Sequence, residues 1–212
     1  MIQDNCIVYI VDDDDRMRTA ICDLLEAKGV KSHAFGSIAE YSAFDRPDAP
    51  SCLVLDIELP QVSGLEFQMQ VDRDAQPPIV FITGHGDIPR TVQAIKRGAV
   101  NFLTKPFDHL DLLASINSAF EQDRVKRKEA AALSVLRERL AALTPRERDV
   151  LPLIVAGLLN KQAAAQLGIS EVTFQIHRSR VMHKMQSSSV AELVKITERL
   201  RLFADEPVGR EA

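Results

Sequence analysis

Residues 6–15 read Cys6-Ile-Val-Tyr-Ile-Val-Asp-Asp-Asp-Asp15, a short β-branched apolar run that ends in four carboxylates. An apolar run of this length, bounded by turn residues, is typical of a strand covered on both faces in a parallel sheet. Two further runs, 52–55 and 79–82, end at Asp56 and Thr83 in the same way. Because ligands bind at the carboxyl ends of the strands in such a sheet, we expect the residues after these strands to share one site.

Strand and helix patterns alternate through residues 1–122, which predicts a doubly wound α/β domain with a five-stranded parallel sheet. The predicted strands are 6–11, 31–35, 52–55, 79–82 and 101–103. The predicted helices are 17–28, a short helix capped by Ser37 and Glu40, 65–74, 89–97, and a helix from Asp108. Lys105 and Pro106 follow the last strand, so Lys105 is expected at the same edge of the sheet as the carboxylates.

Residues 121–140 are charged and alanine-rich and contain no glycine or proline, which predicts a helical linker, assigned to 123–141. Apolar residues recur along it at Val125, Leu133, Leu136 and Leu140. This spacing leaves two interpretations open. The helix either packs on a partner helix or is solvated with a few docking residues.

A second, all-α domain of four helices is predicted for residues 142–204. Thr144-Pro-Arg-Glu147 supplies an N-cap, a first-turn proline and a capping-box glutamate. The predicted helices end near residues 156, 167, 185 and 202, and Gly168 separates the second from the third. This order is the helix-turn-helix arrangement, whose second member enters the DNA major groove. Residues 205–212 are expected to be disordered.

The net charge of −4 is divided unevenly along the 212 residues. Residues 1–122 carry 10 basic and 19 acidic side chains, whereas residues 142–203 carry 9 basic and 5 acidic ones, which is compatible with a phosphate backbone as partner. The sequence contains neither a membrane-spanning apolar stretch nor a signal peptide pattern, so we expect a cytoplasmic protein without a membrane partner. Cys6, Cys22 and Cys52 lack ligand spacing and are expected to be small buried thiols.

The carboxylates at the strand ends predict a site for a hard cation. Three carboxylates close together repel one another unless a proton or a divalent cation neutralises them, and oxygen ligands favour Mg2+. Asp13 and Asp56 would be direct ligands, and Asp12 would act through water. Asp56 could attack phosphorus to form an aspartyl phosphate, with Lys105 balancing charge and the Thr83 hydroxyl as a donor. Taken one at a time, these elements have a simpler alternative. Asp12 to Asp15 could be a solvated acidic turn, and Lys105 could be a surface cation.

Several segments carry a family resemblance. Residues 11–14, 55–60, 64, 82–87 and 105–107 resemble the receiver domain of two-component response regulators. Residues 143–148, 157, 160–161, 167–170 and 172–185 resemble the LuxR-type helix-turn-helix. Their order along the chain is similar to that of the FixJ/NarL subfamily.

The resemblance implies a flavodoxin-like receiver with strand order 2-1-3-4-5, phosphorylated on Asp56 by a sensor histidine kinase. It also implies that Glu58 offers its backbone carbonyl to Mg2+ and that Lys105-Pro106 is a cis peptide. Thr83 and Phe102 match the switch positions of the family. A receiver promotes only its own phosphorylation and dephosphorylation, so the chain is not expected to be an enzyme.

The third helix of the second domain is the predicted DNA-reading element. Helical spacing places four apolar residues on the face expected to pack in the core: Val172, Ile176, Val181 and Met185. Met182 is expected on the outer face, and His177 and His183 are expected to face DNA or solvent. The candidate DNA contacts are Thr173, Gln175, Arg178, Ser179, Arg180, His183 and Lys184. Related proteins more often have lysine at the positions of Gln175 and Ser179, so this helix presents less positive charge.

The leading hypothesis is a response regulator that binds double-stranded DNA and controls transcription when Asp56 is phosphorylated. Phosphorylation is expected to promote a homodimer, and RNA polymerase is a further candidate partner. Two alternatives stay open. One is a hydrolase of the aspartyl-phosphate class, for which the short βα loops leave little room. The other is a DNA-binding or scaffold protein that uses its receiver for protein contacts without phosphorylation.

Overall fold

The computed structural model describes residues 5–72, 75–84 and 88–202. Within these ranges the chain forms two compact units, the N-terminal unit up to Arg127 and the C-terminal unit from Lys128. The predicted disordered tail, 205–212, and the His85-Gly86-Asp87 stretch of the family resemblance lie outside the described residues. In the described ranges, no helix combines the length and the apolar character needed to cross a bilayer.

The N-terminal unit is built on a parallel sheet, which has five strands in the order β2-β1-β3-β4-β5 within the described ranges. The strands are β1 (Ile7–Val11), β2 (Lys31–Phe35), β3 (Ser51–Asp56), β4 (Ile79–Thr83) and β5 (Asn101–Thr104). The helices are α1 (Asp15–Glu26), α2 (Ile38–Ala43), α3 (Gly64–Gln70), α4 (Ile88–Lys96) and α5 (His109–Ala141). The predicted fold class and strand order are confirmed.

The strands are buried on both faces because their apolar side chains alternate between two cores. On β1, Ile10 packs with residues of α1 and α5, whereas Tyr9 packs with residues of α2, α3 and α4. The expected buried thiols are confirmed for Cys6 and Cys52, while Cys22 is only partly buried. The helices therefore cover both faces of the sheet.

Helix α5 is one continuous helix of 33 residues, His109–Ala141. The sequence predicted a helix from Asp108 and a separate linker helix after it. The structure joins the two because the segment contains no glycine or proline. Leu136 is buried and Leu140 is partly buried in the core of the C-terminal unit, whereas Val125 is exposed. This pattern of exposure favours the second interpretation, in which the helix is solvated and a few of its residues dock.

A buried carboxylate anchors α5 to the amino-terminal edge of the sheet. Asp123 is 4% exposed and accepts hydrogen bonds from the Ser51 backbone N–H at 2.9 Å and from Arg127 Nε at 2.7 Å. Arg127 also pairs with Asp48. Burial opposes the charge of Arg127, but the two carboxylates outweigh it and raise the pKa of the guanidinium. The anchor ties α5 to the first residue of β3, the strand that ends at Asp56.

Replacing Asp123 by alanine tests the anchor. We expect Asp123→Ala to lower the free energy of unfolding of the N-terminal unit by about 2–3 kcal/mol, because Ser51 N–H and Arg127 lose a buried acceptor. Urea unfolding followed by tyrosine fluorescence reports on this unit alone, since Tyr9 and Tyr41 are the only tyrosines and the chain lacks tryptophan. The matched control is Glu129→Ala, at an exposed position of the same helix. Equal stability of the two variants would contradict the anchor.

The C-terminal unit contains α6 (Pro145–Val155), α7 (Asn160–Leu167), α8 (Glu171–Lys184) and α9 (Val190–Arg199). Thr144 and Glu147 form the predicted capping box of α6. Gly157 and Gly168 adopt left-handed backbone with φ of 72° and 66°, which lets the chain turn after α6 and between α7 and α8. The predicted helix-turn-helix is confirmed, although α9 ends at Arg199 rather than near residue 202.

The side of α8 that faces the core differs from the prediction. The buried residues on this helix and at its end are Phe174, Val181 and Met185. Placing Val172 and Ile176 in the core was wrong, since they are 67% and 48% exposed. Placing Met182 on the outer face was also wrong, since it packs partly against the core. The larger Phe174 occupies the interior because it buries more apolar surface than a valine.

Candidate functional site

The strand ends of the N-terminal unit meet at the carboxyl edge of the sheet. Asp12 follows β1 and Asp56 ends β3, and these strands are neighbours in register. Thr83 ends β4, and Lys105 follows β5. The backbone N–H of Lys105 donates to the Thr83 carbonyl at 2.7 Å. Parallel pairing therefore brings together side chains that lie far apart in the sequence.

The ammonium group of Lys105 joins two of the carboxylates. Lys105 Nζ lies 2.6 Å from Asp12 Oδ2 and 2.7 Å from Asp56 Oδ2. Asp12 is fully buried, and Asp56 is 4% exposed. Burial opposes the charge of Lys105, but the two hydrogen-bonded carboxylates outweigh it and raise the pKa of the lysine. The predicted convergence of Asp12, Asp56 and Lys105 is confirmed.

Asp13 completes an acidic cluster with Asp12 and Asp56. Oxygen atoms of the three carboxylates all lie within 4.8 Å of one another, and Asp13 is exposed to solvent. Three carboxylates and the Lys105 ammonium carry a formal charge of −2, so the lysine alone does not balance the cluster. Burial raises the pKa of Asp12, although hydrogen bonds from Lys105 and from the Asp14 N–H oppose the shift. The cluster can therefore accept a divalent cation.

Backbone contacts orient the two buried carboxylates. Asp12 Oδ1 accepts from the Asp14 N–H at 2.9 Å, and Asp56 Oδ1 accepts from the Glu58 N–H at 3.0 Å. Gly64 begins α3 directly against Asp56, where a Cβ would lie 2.3 Å from the Asp56 carbonyl oxygen. Only glycine allows this approach. The peptide between Lys105 and Pro106 is cis, as the resemblance implied.

The residues assigned to switch positions lie on the neighbouring strands β4 and β5. Thr83 is 1% exposed at the end of β4. Phe102 pairs in register with Phe81 and is partly buried against the core that includes α4. Thr83 therefore lies at the carboxyl edge beside Lys105, whereas Phe102 lies two residues before the end of β5. Their roles stay predictions, as does the carbonyl ligand role of Glu58.

The predicted DNA-contact residues on α8 divide into two groups by exposure. The exposed residues are Gln175, Ser179, Arg180 and His183. The partly buried residues are Thr173, Arg178 and Lys184. The Thr173 hydroxyl lies 2.7 Å from Ser170 Oγ, the group that caps α8. The first group is therefore free to approach DNA, whereas the second also holds the unit together.

Two of the partly buried residues connect helices within the unit. Arg178 Nη1 donates to Asn160 Oδ1 at 2.7 Å and so links α8 to the start of α7. Lys184 Nζ donates to Glu147 Oε2 at 2.7 Å and to the Ala142 carbonyl at 3.1 Å. The surface position predicted for His177 was wrong. Its ring is partly buried, and its Nδ1 has no hydrogen-bond partner among the described residues.

Glu147 has a larger role than the sequence indicated. The sequence identified it as a capping residue, but it is also the buried partner of Lys184. Hydrogen bonds from Lys184 and from the Thr144 N–H lower the pKa of Glu147 to about 2. Its buried pairing could not be predicted because Lys184 lies 37 positions away. The Asn160 contact was missed in the same way, although Asn160 belongs to a segment that carried the resemblance.

Two protein families match this chain, each over a different part of it. Residues 8–117 match the response regulator receiver domain, and residues 141–197 match the bacterial regulatory proteins of the luxR family. The chain belongs to the response regulators. Nodulation protein W of Bradyrhizobium diazoefficiens is 44% identical over 200 residues, covering 94% of this chain and 88% of that protein.

Two further matches cover both units. The transcriptional regulatory protein FixJ of the same organism is 37% identical over 199 residues, covering 93% of this chain and 97% of that protein. The solved structure of the response regulator StyR is 40% identical with a TM-score of 0.77, covering 92% of this chain and 99% of that chain. The expected family and its FixJ-like domain order are therefore confirmed. This response regulator is a DNA-binding transcription regulator, and its family does not support the hydrolase alternative.

The buried pair of Glu147 and Lys184 predicts a pH dependence for the C-terminal unit. Because the folded pKa of Glu147 is about 2, below its ordinary value, its contribution is complete above about pH 4.5 and is lost as the pH falls toward 2. We expect Glu147→Gln to cost about 2 kcal/mol at pH 7 and progressively less below pH 4.5.

This prediction is checked by urea unfolding at several pH values. Far-UV circular dichroism reports on both units, whereas tyrosine fluorescence reports on the N-terminal unit only, so a transition that is seen by circular dichroism alone belongs to the C-terminal unit. Asp149→Asn, at an exposed position of α6, is the matched control. If the deficit of Glu147→Gln were the same at pH 3 and pH 7, the pair would not have the assigned role.

Proposed function

We propose that Asp56 accepts a phosphoryl group from a phosphohistidine of a sensor histidine kinase. A carboxylate oxygen of Asp56 attacks phosphorus, the new O–P bond forms, and the P–N bond to the imidazole breaks. The imidazole takes the electron pair of that bond and a proton from solvent. The contact of Lys105 with both Asp12 and Asp56 is the observation that supports this most strongly, because it places a cation where the phosphoryl oxygens arrive.

Mg2+ fits the acidic cluster, since the donors are carboxylate oxygens and the formal charge of −2 matches the ion. Asp13 and Asp56 would hold it directly through their side chains, Asp12 would hold it through water, and Glu58 would hold it through its backbone carbonyl. When bound, Mg2+ supplies positive charge to the oxygens of the transferred group. The protein's own residues orient the two buried carboxylates. Asp12 accepts hydrogen bonds from Lys105 and from the Asp14 N–H, and Asp56 accepts them from Lys105 and from the Glu58 N–H.

Phosphorylation is proposed to act on the rest of the receiver through Thr83 and Phe102. A phosphoryl group on Asp56 competes for Lys105 and offers oxygens to the buried Thr83 hydroxyl. Phe102 lies on the adjacent strand and would respond to a shift of this edge. We further propose that the phosphorylated form is a homodimer and that the receiver acts only on its own phosphorylation and dephosphorylation.

The C-terminal unit is proposed to bind double-stranded DNA through the exposed face of α8. Gln175 is suited to read adenine through its amide, and Arg180 to contact phosphate. We propose the domain limits 1–122 for the receiver, 123–141 for the linker, whose first turn is docked by Asp123, and 142–204 for the DNA-binding domain. The proposed partners are the kinase, DNA and RNA polymerase. We propose that the protein meets them in the cytoplasm.

Asparagine at the acceptor position tests the proposed chemistry. Asp56→Asn should prevent phosphorylation by acetyl phosphate and Mg2+, because an amide is a poor nucleophile. Intact-mass spectrometry measures the modified fraction, and Asp15→Asn, an exposed carboxylate beside the site, is the matched control that should be modified like the wild type. Normal modification of Asp56→Asn would show that another residue is the acceptor. If modification of the wild type left its DNA affinity unchanged, the phosphorylation-independent alternative would be favoured.

A further inference from the structure

A cavity of about 480 Å³ opens at the amino-terminal edge of the sheet. Ile79, the first residue of β4, lies in its wall, whereas the acidic cluster lies at the opposite ends of the strands. The rest of the wall comes from α3, from α5, and from the segments that follow α3 and α4. Pockets for small molecules usually have volumes of about 300–1,000 Å³. The size of this cavity therefore suits a small organic ligand, at a place that the proposed phosphorylation does not use.

Part of the cavity wall is apolar. Pro77 and Ile79 are buried, and Val71 and Pro78 are partly buried. Val71 and Ile79 also pack in the core on one face of the sheet, so this part of the wall has a firm backing. Proline side chains lose almost no rotamer freedom when a ligand covers them. The apolar wall is therefore suited to the flat face of an aromatic ring.

The polar part of the wall is positively charged. Of the described residues in the wall, Arg97 and Lys126 are cationic and none is acidic. The Arg97 guanidinium is exposed and has no hydrogen bond or ion pair within the part of the chain that the structure describes. A guanidinium matches a carboxylate with two parallel hydrogen bonds. The charge therefore favours an anionic ligand, and the free guanidinium favours a carboxylate.

Hydrogen bonds hold the cavity in place. Lys126 Nζ donates to the Gln76 carbonyl at 2.9 Å, and the side chain of Gln76 accepts from Arg46 Nη1 at 2.5 Å. Gln68 Nε2 donates to the Ala94 carbonyl at 3.3 Å and so joins α3 to α4 beside the cavity. A site that is formed before the ligand arrives loses less conformational entropy on binding. The wall is thus prepared for a ligand rather than dependent on one.

We propose that this cavity binds a small aromatic carboxylate. The carboxylate of the ligand pairs with Arg97 and Lys126, and its ring packs on Pro77 and Pro78. The ligand does not touch the acidic cluster, because the two sites lie at opposite ends of the strands. The inference is therefore independent of the proposed phosphorylation of Asp56.

A matched pair of probes tests the inference. Cinnamate and cinnamamide have the same flat shape, but only cinnamate carries a negative charge at neutral pH. The isotope-labelled full-length protein is titrated with each probe, and proton–nitrogen correlation NMR follows the backbone amides. We expect saturable shifts at Gly98 and Gln122, which line the cavity. Cinnamamide should bind about five-fold more weakly, because hydrogen bonds between charged groups contribute more than neutral ones.

Variants of the cationic residues assign the recognition to the cavity. Arg97→Gln and Lys126→Gln should each lower the affinity for cinnamate toward that for cinnamamide and leave the affinity for cinnamamide unchanged. Lys96→Gln is the matched control, since Lys96 is an exposed cation next to Arg97 in the sequence but is not part of the wall. It should keep the wild-type affinities for both probes.

The remaining outcomes would overturn the inference. Equal affinity of the wild type for the two probes, or an equal loss in Lys96→Gln and Arg97→Gln, would show that the cavity does not recognise a carboxylate. Absence of saturable shifts at Gly98 and Gln122 up to the solubility limit of cinnamate would show that the cavity is not a binding site. Inorganic phosphate should not reproduce the shifts. If it did, the cavity would bind anions without using its apolar wall, and the proposed ligand class would be wrong.

Discussion

The contact of the Lys105 ammonium with Asp12 and Asp56 is the interaction on which the rest of the N-terminal unit depends. Its two distances, 2.6 and 2.7 Å, require that β1, β3 and β5 end at the same edge of the sheet, although 93 positions separate Asp12 from Lys105. Burying two carboxylates without a cation would be costly, so the lysine makes the cluster compatible with folding. The remaining negative charge leaves the site suited to a divalent cation.

Strand β3 connects this site to the helix that leads into the C-terminal unit. Its last residue is Asp56, and its first residue, Ser51, donates its backbone N–H to Asp123 of α5. The strand is therefore held at one end by Lys105 and at the other by the α5 anchor. A change in the contacts of Asp56 acts on an element that is itself tied to α5. β3 therefore joins the acidic cluster to the part of α5 that belongs to the N-terminal unit.

Much of the site could be predicted from the sequence because strand ends and turn residues are local signals. The runs ending at Asp56 and Thr83 indicated the sheet edge, and the capping box at Thr144 indicated the start of α6. The face of α8 could not be decided by spacing, since this helix carries apolar residues on two sides and only packing shows that Phe174 is inside. The contact of Asp123 with Ser51 joins residues 72 positions apart and has no local signal.

The most direct test of the account is the affinity for Mg2+ measured by isothermal titration calorimetry at neutral pH. The account predicts one site in the wild type and binding weaker by about ten-fold or more in Asp13→Asn, because the variant removes an exposed ligand without disturbing the Lys105 contacts. Asp14→Asn is the matched control, since asparagine also caps a helix, and it should bind like the wild type. Equal affinity of Asp13→Asn and the wild type, or no saturable binding by the wild type, would contradict the acidic cluster as the metal and phosphoryl site.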